Sequence, residues 1–67
     1  MEMIVVNGEK RPLPAHGTVA ALLGELGLTG RRIAVERNGE IVPRSRHDTE
    51  ALAPGDRLEI VVAVGGG

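Results

Sequence analysis

Arg57-Leu58-Glu59-Ile60-Val61-Val62-Ala63-Val64 is the most regular strand pattern in the chain. Leu58, Ile60, Val62 and Val64 alternate with Arg57, Glu59, Val61 and Ala63, the period of two expected of a strand with one buried face. As the longest and most apolar strand segment, it belongs in the middle of a sheet, beside the first strand. Gly65-Gly66-Gly67 follows without a linker, so the central strand runs directly into glycine.

The segments before it supply the rest of the sheet. Ala53-Pro54-Gly55-Asp56 is a turn by composition. Met1 to Val6 is rich in Ile and Val and reads as a strand, and Asn7-Gly8 is the pair most favoured in a two-residue hairpin. The returning segment, Glu9 to Leu13, carries Pro12, which cannot donate to a ladder and therefore belongs at an edge or a strand end. Asn38-Gly39 repeats the hairpin signal between Arg32 to Arg37, with Ile33 and Val35 on one face, and Glu40-Ile41-Val42, which stops at Pro43.

Between the two hairpins lies one helix. Thr18 is a good N-cap, Val19, Leu22, Leu23 and Leu26 fall at i, i+3, i+4 and i+7, and Gly27 sits where a left-handed C-terminal glycine belongs. Gly24 lies off that stripe and weakens the helix by about 1 kcal/mol relative to Ala. A helix of about two turns does not survive alone in water, so it must lie on the sheet. Arg44 to Leu52 shows no period and is expected to be irregular, with room for one helical turn. The predicted order is strand, strand, helix, strand, strand, strand. An α+β fold, one mixed sheet of about five strands with one face covered by the helix, gives every apolar stripe a partner.

Composition narrows the function classes. Sixty-seven residues make one domain with a thin core, burying only about 60% of the surface its unfolded chain exposes. There is no Cys, hence no disulfide, no thiolate metal site and no thiol nucleophile, which fits a reducing compartment. Eight basic against nine acidic residues give a net charge of −1, so no overall field draws the chain to nucleic acid or an anionic membrane. It also lacks Phe, Trp and Tyr, the usual stacking platforms for single-stranded nucleic acid. Its apolar runs fall far short of the roughly 20 residues that span a bilayer. A cytoplasmic protein, monomeric on its own, is expected.

The glycines at the end carry the chemical expectation. Glycine loses the most conformational freedom on ordering, so a run of three does not stabilise a fold. It does allow a backbone to pass through a channel too narrow for a Cβ. The group delivered by such a thread is the α-carboxylate of Gly67. Residues 1–64 are then the domain and 65–67 a flexible tail.

Ile33-Ala34-Val35-Glu36-Arg37-Asn38-Gly39-Glu40-Ile41-Val42-Pro43-Arg44, then Pro54-Gly55-Asp56-Arg57-Leu58-Glu59-Ile60-Val61 and the glycine end, resemble the ThiS family, the sulfur carrier proteins of thiamin biosynthesis. The resemblance covers nearly the whole chain and implies a β-grasp, ubiquitin-like fold. It also implies a chemistry: the terminal carboxylate, here that of Gly67, is adenylated by a ThiF-type enzyme related to the ubiquitin-activating enzymes. The adenylate becomes a thiocarboxylate, with sulfur from a donor protein, and thiazole synthase of the ThiG type receives that sulfur. Gly66 is the second residue of the family's diglycine, and Gly65 is an additional thread residue.

The residues themselves agree with a carrier that is not an enzyme. Activating a carboxylate needs ATP and Mg²⁺, and no phosphate-binding glycine motif opens a helix here, so both are expected to be used by the activating partner, with no cofactor bound by this chain. Val61 and Ala63, on the face away from the helix, are candidates for docking that partner. His16 and His47 show no metal-ligand spacing and are expected to be solvated loop residues, with no metal site. Arg31-Arg32 and Arg44-Ser45-Arg46-His47 read as solvated basic clusters. Two alternatives stay open: the small subunit of molybdopterin synthase or another thiocarboxylate carrier, and a β-grasp interaction module without covalent chemistry. A ferredoxin-like electron carrier is excluded by the missing cysteines.

Overall fold

The computed structural model describes residues 2–63. Its elements are β1 (Met3–Val6), β2 (Glu9–Pro12), α1 (Val19–Glu25), β3 (Ile33–Arg37), β4 (Glu40–Val42), a 3-10 turn at Arg44–Arg46 and β5 (Arg57–Val62). The strands form one sheet in the order β2-β1-β5-β3-β4. β5 runs parallel to β1 and antiparallel to β3, and both hairpins are antiparallel. The last strand is therefore central and adjoins the first, as its pattern predicts. Among the described residues a single α-helix packs on one face of this mixed sheet, the β-grasp arrangement.

Local chemistry explains the elements. Asn7 (φ 49°) and Gly8 (φ 85°), and likewise Asn38 (52°) and Gly39 (87°), hold the paired positive φ values of a two-residue hairpin turn. Asp56 N–H donates to Ala53 O at 3.1 Å across Pro54-Gly55, with Gly55 at φ 86°, the type II turn its sequence favours. Pro12 closes β2, which is an edge strand, where its missing donor is tolerated.

The helix is capped at both ends. Thr18 Oγ1 accepts from Ala21 N–H at 3.1 Å. At the C-terminus Gly27 (φ 74°) donates to Gly24 O at 3.1 Å and Leu28 N–H to Leu23 O at 2.8 Å, the two bonds of a Schellman motif. Val19, Leu22 and Leu23 are buried and Leu26 packs at the margin. They meet Ile4, Val6, Val35, Val42, Leu52, Leu58 and Ile60 in one cluster. Among the described residues no helix is long and apolar enough to cross a membrane.

The irregular segment predicted after Pro43 has a definite job. Val19 N–H donates to Glu50 O at 3.1 Å and Ala20 N–H to His47 O at 2.8 Å, while Leu52 N–H returns to Gly17 O at 2.7 Å. His47 and Glu50, in the residues after the 3-10 turn, thus supply carbonyls to the first helical donors, which no helix can satisfy internally.

Candidate functional site

Of the described residues that the sequence places at the functional end, Val61 lies on β5 and Ala63 directly after it. Leu58 and Ile60 point to the core and are buried, while Arg57, Glu59 and Val61 face outward. Val61 is 64% exposed, the largest exposure among the described large apolar residues beside Ile41 at 61%. Ala63 is also exposed, and its N–H donates to Arg32 O at 2.9 Å, continuing the β3 ladder one step past the strand. Val61 and Ala63 therefore share the open face of the sheet. Gly65, Gly66 and Gly67, together with Val64, lie outside the described residues.

β5 is held from both ends by asparagine side chains that the sequence marks only as turn formers. Asn7 Oδ1 accepts from Ile60 N–H at 2.7 Å and Asn7 Nδ2 donates to Ile60 O at 3.1 Å. This carboxamide takes the place of the next β1 residue and extends the parallel ladder after β1 has turned away. Asn38 Oδ1 accepts from Arg57 N–H at 2.9 Å at the strand's beginning, and Asn38 Nδ2 donates to Asp56 Oδ1 at 2.9 Å.

Asp56 is the polar hub beneath that beginning. Its carboxylate, 7% exposed, also accepts from Arg37 Nε at 2.6 Å and Ala53 N–H at 2.8 Å. Burial pushes the Asp56 carboxyl up, but the Arg37 guanidinium, the Ala53 N–H and the Asn38 carboxamide together outweigh it and hold the group below the usual carboxylate range. The hydrogen bond to Asp56 in turn raises the already high Arg37 pKa. Arg37 Nη1 reaches Glu50 Oε2 at 3.2 Å, linking this hub to the strap over the helix N-terminus.

The histidines divide. His16 is exposed as expected. His47 corrects its expectation: it is 8% exposed, and its Nε2 lies 3.1 Å from Val42 O. Its main-chain carbonyl also accepts from Ala20 N–H, so the residue is tied to the helix by its backbone and to the end of β4 by its ring. Arg31 and Arg44, from the two separate basic clusters, come to one cleft with Leu23, Leu28, Ile33 and His47. Among the described residues no group of three His, Cys, Asp or Glu is placed to hold a metal ion.

A five-stranded mixed sheet with its last described strand central and a helix on one face defines the β-grasp, ubiquitin-like class of fold. Residues 4–67 match the ThiS family, and the chain belongs to that family. It is 41% identical over 51 residues to the sulfur carrier protein ThiS of Bacillus subtilis, covering 76% of this chain and 77% of that one. It is 56% identical over 64 residues, 96% of its length, to a thiazole synthase of Paramagnetospirillum magneticum, of which it spans only 20%. Among solved structures, the thiamine biosynthesis protein ThiS of Geobacter metallireducens matches with a TM-score of 0.78 and 29% identity, over 97% of this chain and 99% of that one.

Proposed function

We propose that this chain is a sulfur carrier of thiamin biosynthesis that presents the α-carboxylate of Gly67 to an adenylating enzyme of the ThiF type. The observation that carries this is the placement of β5: the strand that precedes the glycines in sequence is central, held between β1 and β3 and bonded by Asn7. Membership of the ThiS family over residues 4–67 supports the same reading.

The chemistry requires a partner. A carboxylate oxygen attacks the α-phosphorus of ATP and expels pyrophosphate, which makes the carbonyl carbon electrophilic. The terminal sulfur of a donor-protein persulfide then attacks that carbon and expels AMP; a second thiol cleaves the resulting acyl disulfide, leaving the thiocarboxylate here and a disulfide between the two thiols. ATP and Mg²⁺ are held and consumed by the adenylating enzyme, so this chain is a co-substrate with no cofactor or metal of its own. Gly65 and Gly66 thread the partner's channel. Ordering three residues opposes docking by about 3–6 kcal/mol, which the folded domain, residues 1–64, must offset through its surface around Val61 and Ala63.

Thiazole synthase is the proposed acceptor of the sulfur. The Paramagnetospirillum magneticum protein of that name contains, within one fifth of its length, a stretch 56% identical to this chain. The names of the relatives favour the thiamin pathway over molybdopterin synthesis. The carrier acts in the cytoplasm as a monomer. The test is ATP–pyrophosphate exchange by the adenylating enzyme: the chain should support it, and a chain amidated at Gly67 should not. Equal exchange by the amidated chain would exclude the proposal, leaving a non-covalent interaction module as the reading.

A further inference from the structure

The open face of the sheet carries an arrangement that the fold alone does not need. Glu36 on β3 stands directly opposite Glu59 on β5, and Ile41 on β4 stands opposite Glu36 on its other side. Two register positions further, on the same face, Ala34 stands opposite Val61. Directly opposed strand residues have Cβ atoms about 5 Å apart, and like charges so placed cost stability. Among the described residues, the ion pairs are those Arg37 makes with Asp56 and Glu50, and neither Glu36 nor Glu59 has one. Arg57 lies two residues from Glu59 on the same face and is not within ion-pair distance of it.

Two liabilities therefore occupy one patch: opposed carboxylates, and exposed β-branched side chains at Ile41 and Val61. A single occupant relieves both. From this we infer that the patch docks the adenylating enzyme through a cationic side chain, Arg or Lys, set between Glu36 and Glu59 and flanked by apolar residues that cover Ile41, Ala34 and Val61. A guanidinium suits the place best, since its planar fork offers donors to two carboxylates at once. A second copy of this chain would bring two more carboxylates to the same spot, and nucleic acid would bring phosphates, so charge disfavours both. The inference rests on the proposed adenylation and adds to it the partner's chemistry at the contact.

The experiment measures ATP–pyrophosphate exchange with the ThiF-type adenylating enzyme of the same organism, at several NaCl concentrations, for wild type, Glu36→Gln, Glu59→Gln and the double variant. The double variant should raise KM for the chain about tenfold at low salt, leave kcat nearly unchanged, and flatten the rise of KM with salt. Its free domain should melt at the same temperature as wild type or higher, because an opposed charge pair has been removed. Unchanged KM and salt dependence in the double variant, with normal exchange, would overturn this contact while leaving the proposed function intact. A lowered melting temperature would overturn it too, by showing that the carboxylates serve the fold. Absence of exchange with the wild-type chain would overturn the adenylation reading and this inference with it.

Discussion

Asn7 holds both the N–H and the carbonyl of Ile60, 53 residues further along, through the two ends of one carboxamide. The same residue is the first positive-φ position of the β1–β2 turn. One asparagine thus reverses the first hairpin and extends the parallel ladder onto the strand that leads to the glycines. Asn38 repeats the device at the other end of β5, where it serves Arg57 and Asp56.

Asn7→Gly separates the two roles, because glycine keeps the turn and loses the ladder. It should cost about 1–3 kcal/mol in urea unfolding, the range for two hydrogen bonds lost from a partly buried site. Amide exchange at Ile60 should accelerate more than at Leu58, whose neighbours on β1 remain. An unchanged midpoint and unchanged Ile60 protection would show the carboxamide to be incidental.

Asp56 sets the acid limb of stability. Its folded pKa lies below the ordinary carboxylate value, so its contribution is complete above that ordinary value and is lost as pH falls through the lower, folded one. Asp56→Asn should lower stability at neutral pH by about 1.5–3 kcal/mol and flatten the decline on acidification. Melting temperatures across the acid range check it; parallel curves for both proteins would contradict the assignment.

Two glycines of the helix region should respond in opposite directions. Gly24 is exposed within α1, and an added Cβ would meet only Thr29 Oγ1 at 3.7 Å, an ordinary contact. Gly24→Ala should therefore stabilise by up to about 1 kcal/mol. At Gly27 an added Cβ meets nothing within 4 Å, yet φ is +74°, so Gly27→Ala should destabilise by about 1–2 kcal/mol through backbone conformation alone. Chemical denaturation of the pair reads the difference directly.

Val61 tests the docking surface without touching the fold. Val61→Thr removes exposed apolar area while keeping the β-branched shape that suits a central strand, so the melting temperature should hold. KM in adenylation should rise about tenfold if Val61 is a central contact. A change in melting temperature without a change in KM would reverse that assignment.

Much of the architecture was legible because it depends on repeating patterns. Alternation along Arg57 to Val62, the two Asn-Gly pairs, the Thr18 cap and the Leu22-Leu23 stripe each state a local preference that the packing then respects. The strap from Arg44 to Leu52 was opaque for a physical reason. Its service to the helix is made by main-chain carbonyls of His47 and Glu50, which leave no trace in residue type. The burial of His47 is opaque for a similar reason, since both its carbonyl and its ring meet main-chain groups, those of Ala20 and Val42. Asp56 was legible as a turn residue, but not as a hub, because Arg37 and Asn38 reach it only after β3 and β5 pair. At the candidate site, the exposure of Val61 followed from strand parity, whereas the opposition of Glu36 and Glu59 needed the register between two strands.

The most direct measurement is the intact mass of the chain after incubation with ATP, Mg²⁺, the adenylating enzyme and a sulfur source. The mass should rise by the difference between one sulfur and one oxygen, with the change confined to Gly67 on fragmentation. A chain that supports ATP turnover by the enzyme yet keeps its original mass, or gains sulfur at another residue, would contradict the claim that Gly67 carries the sulfur.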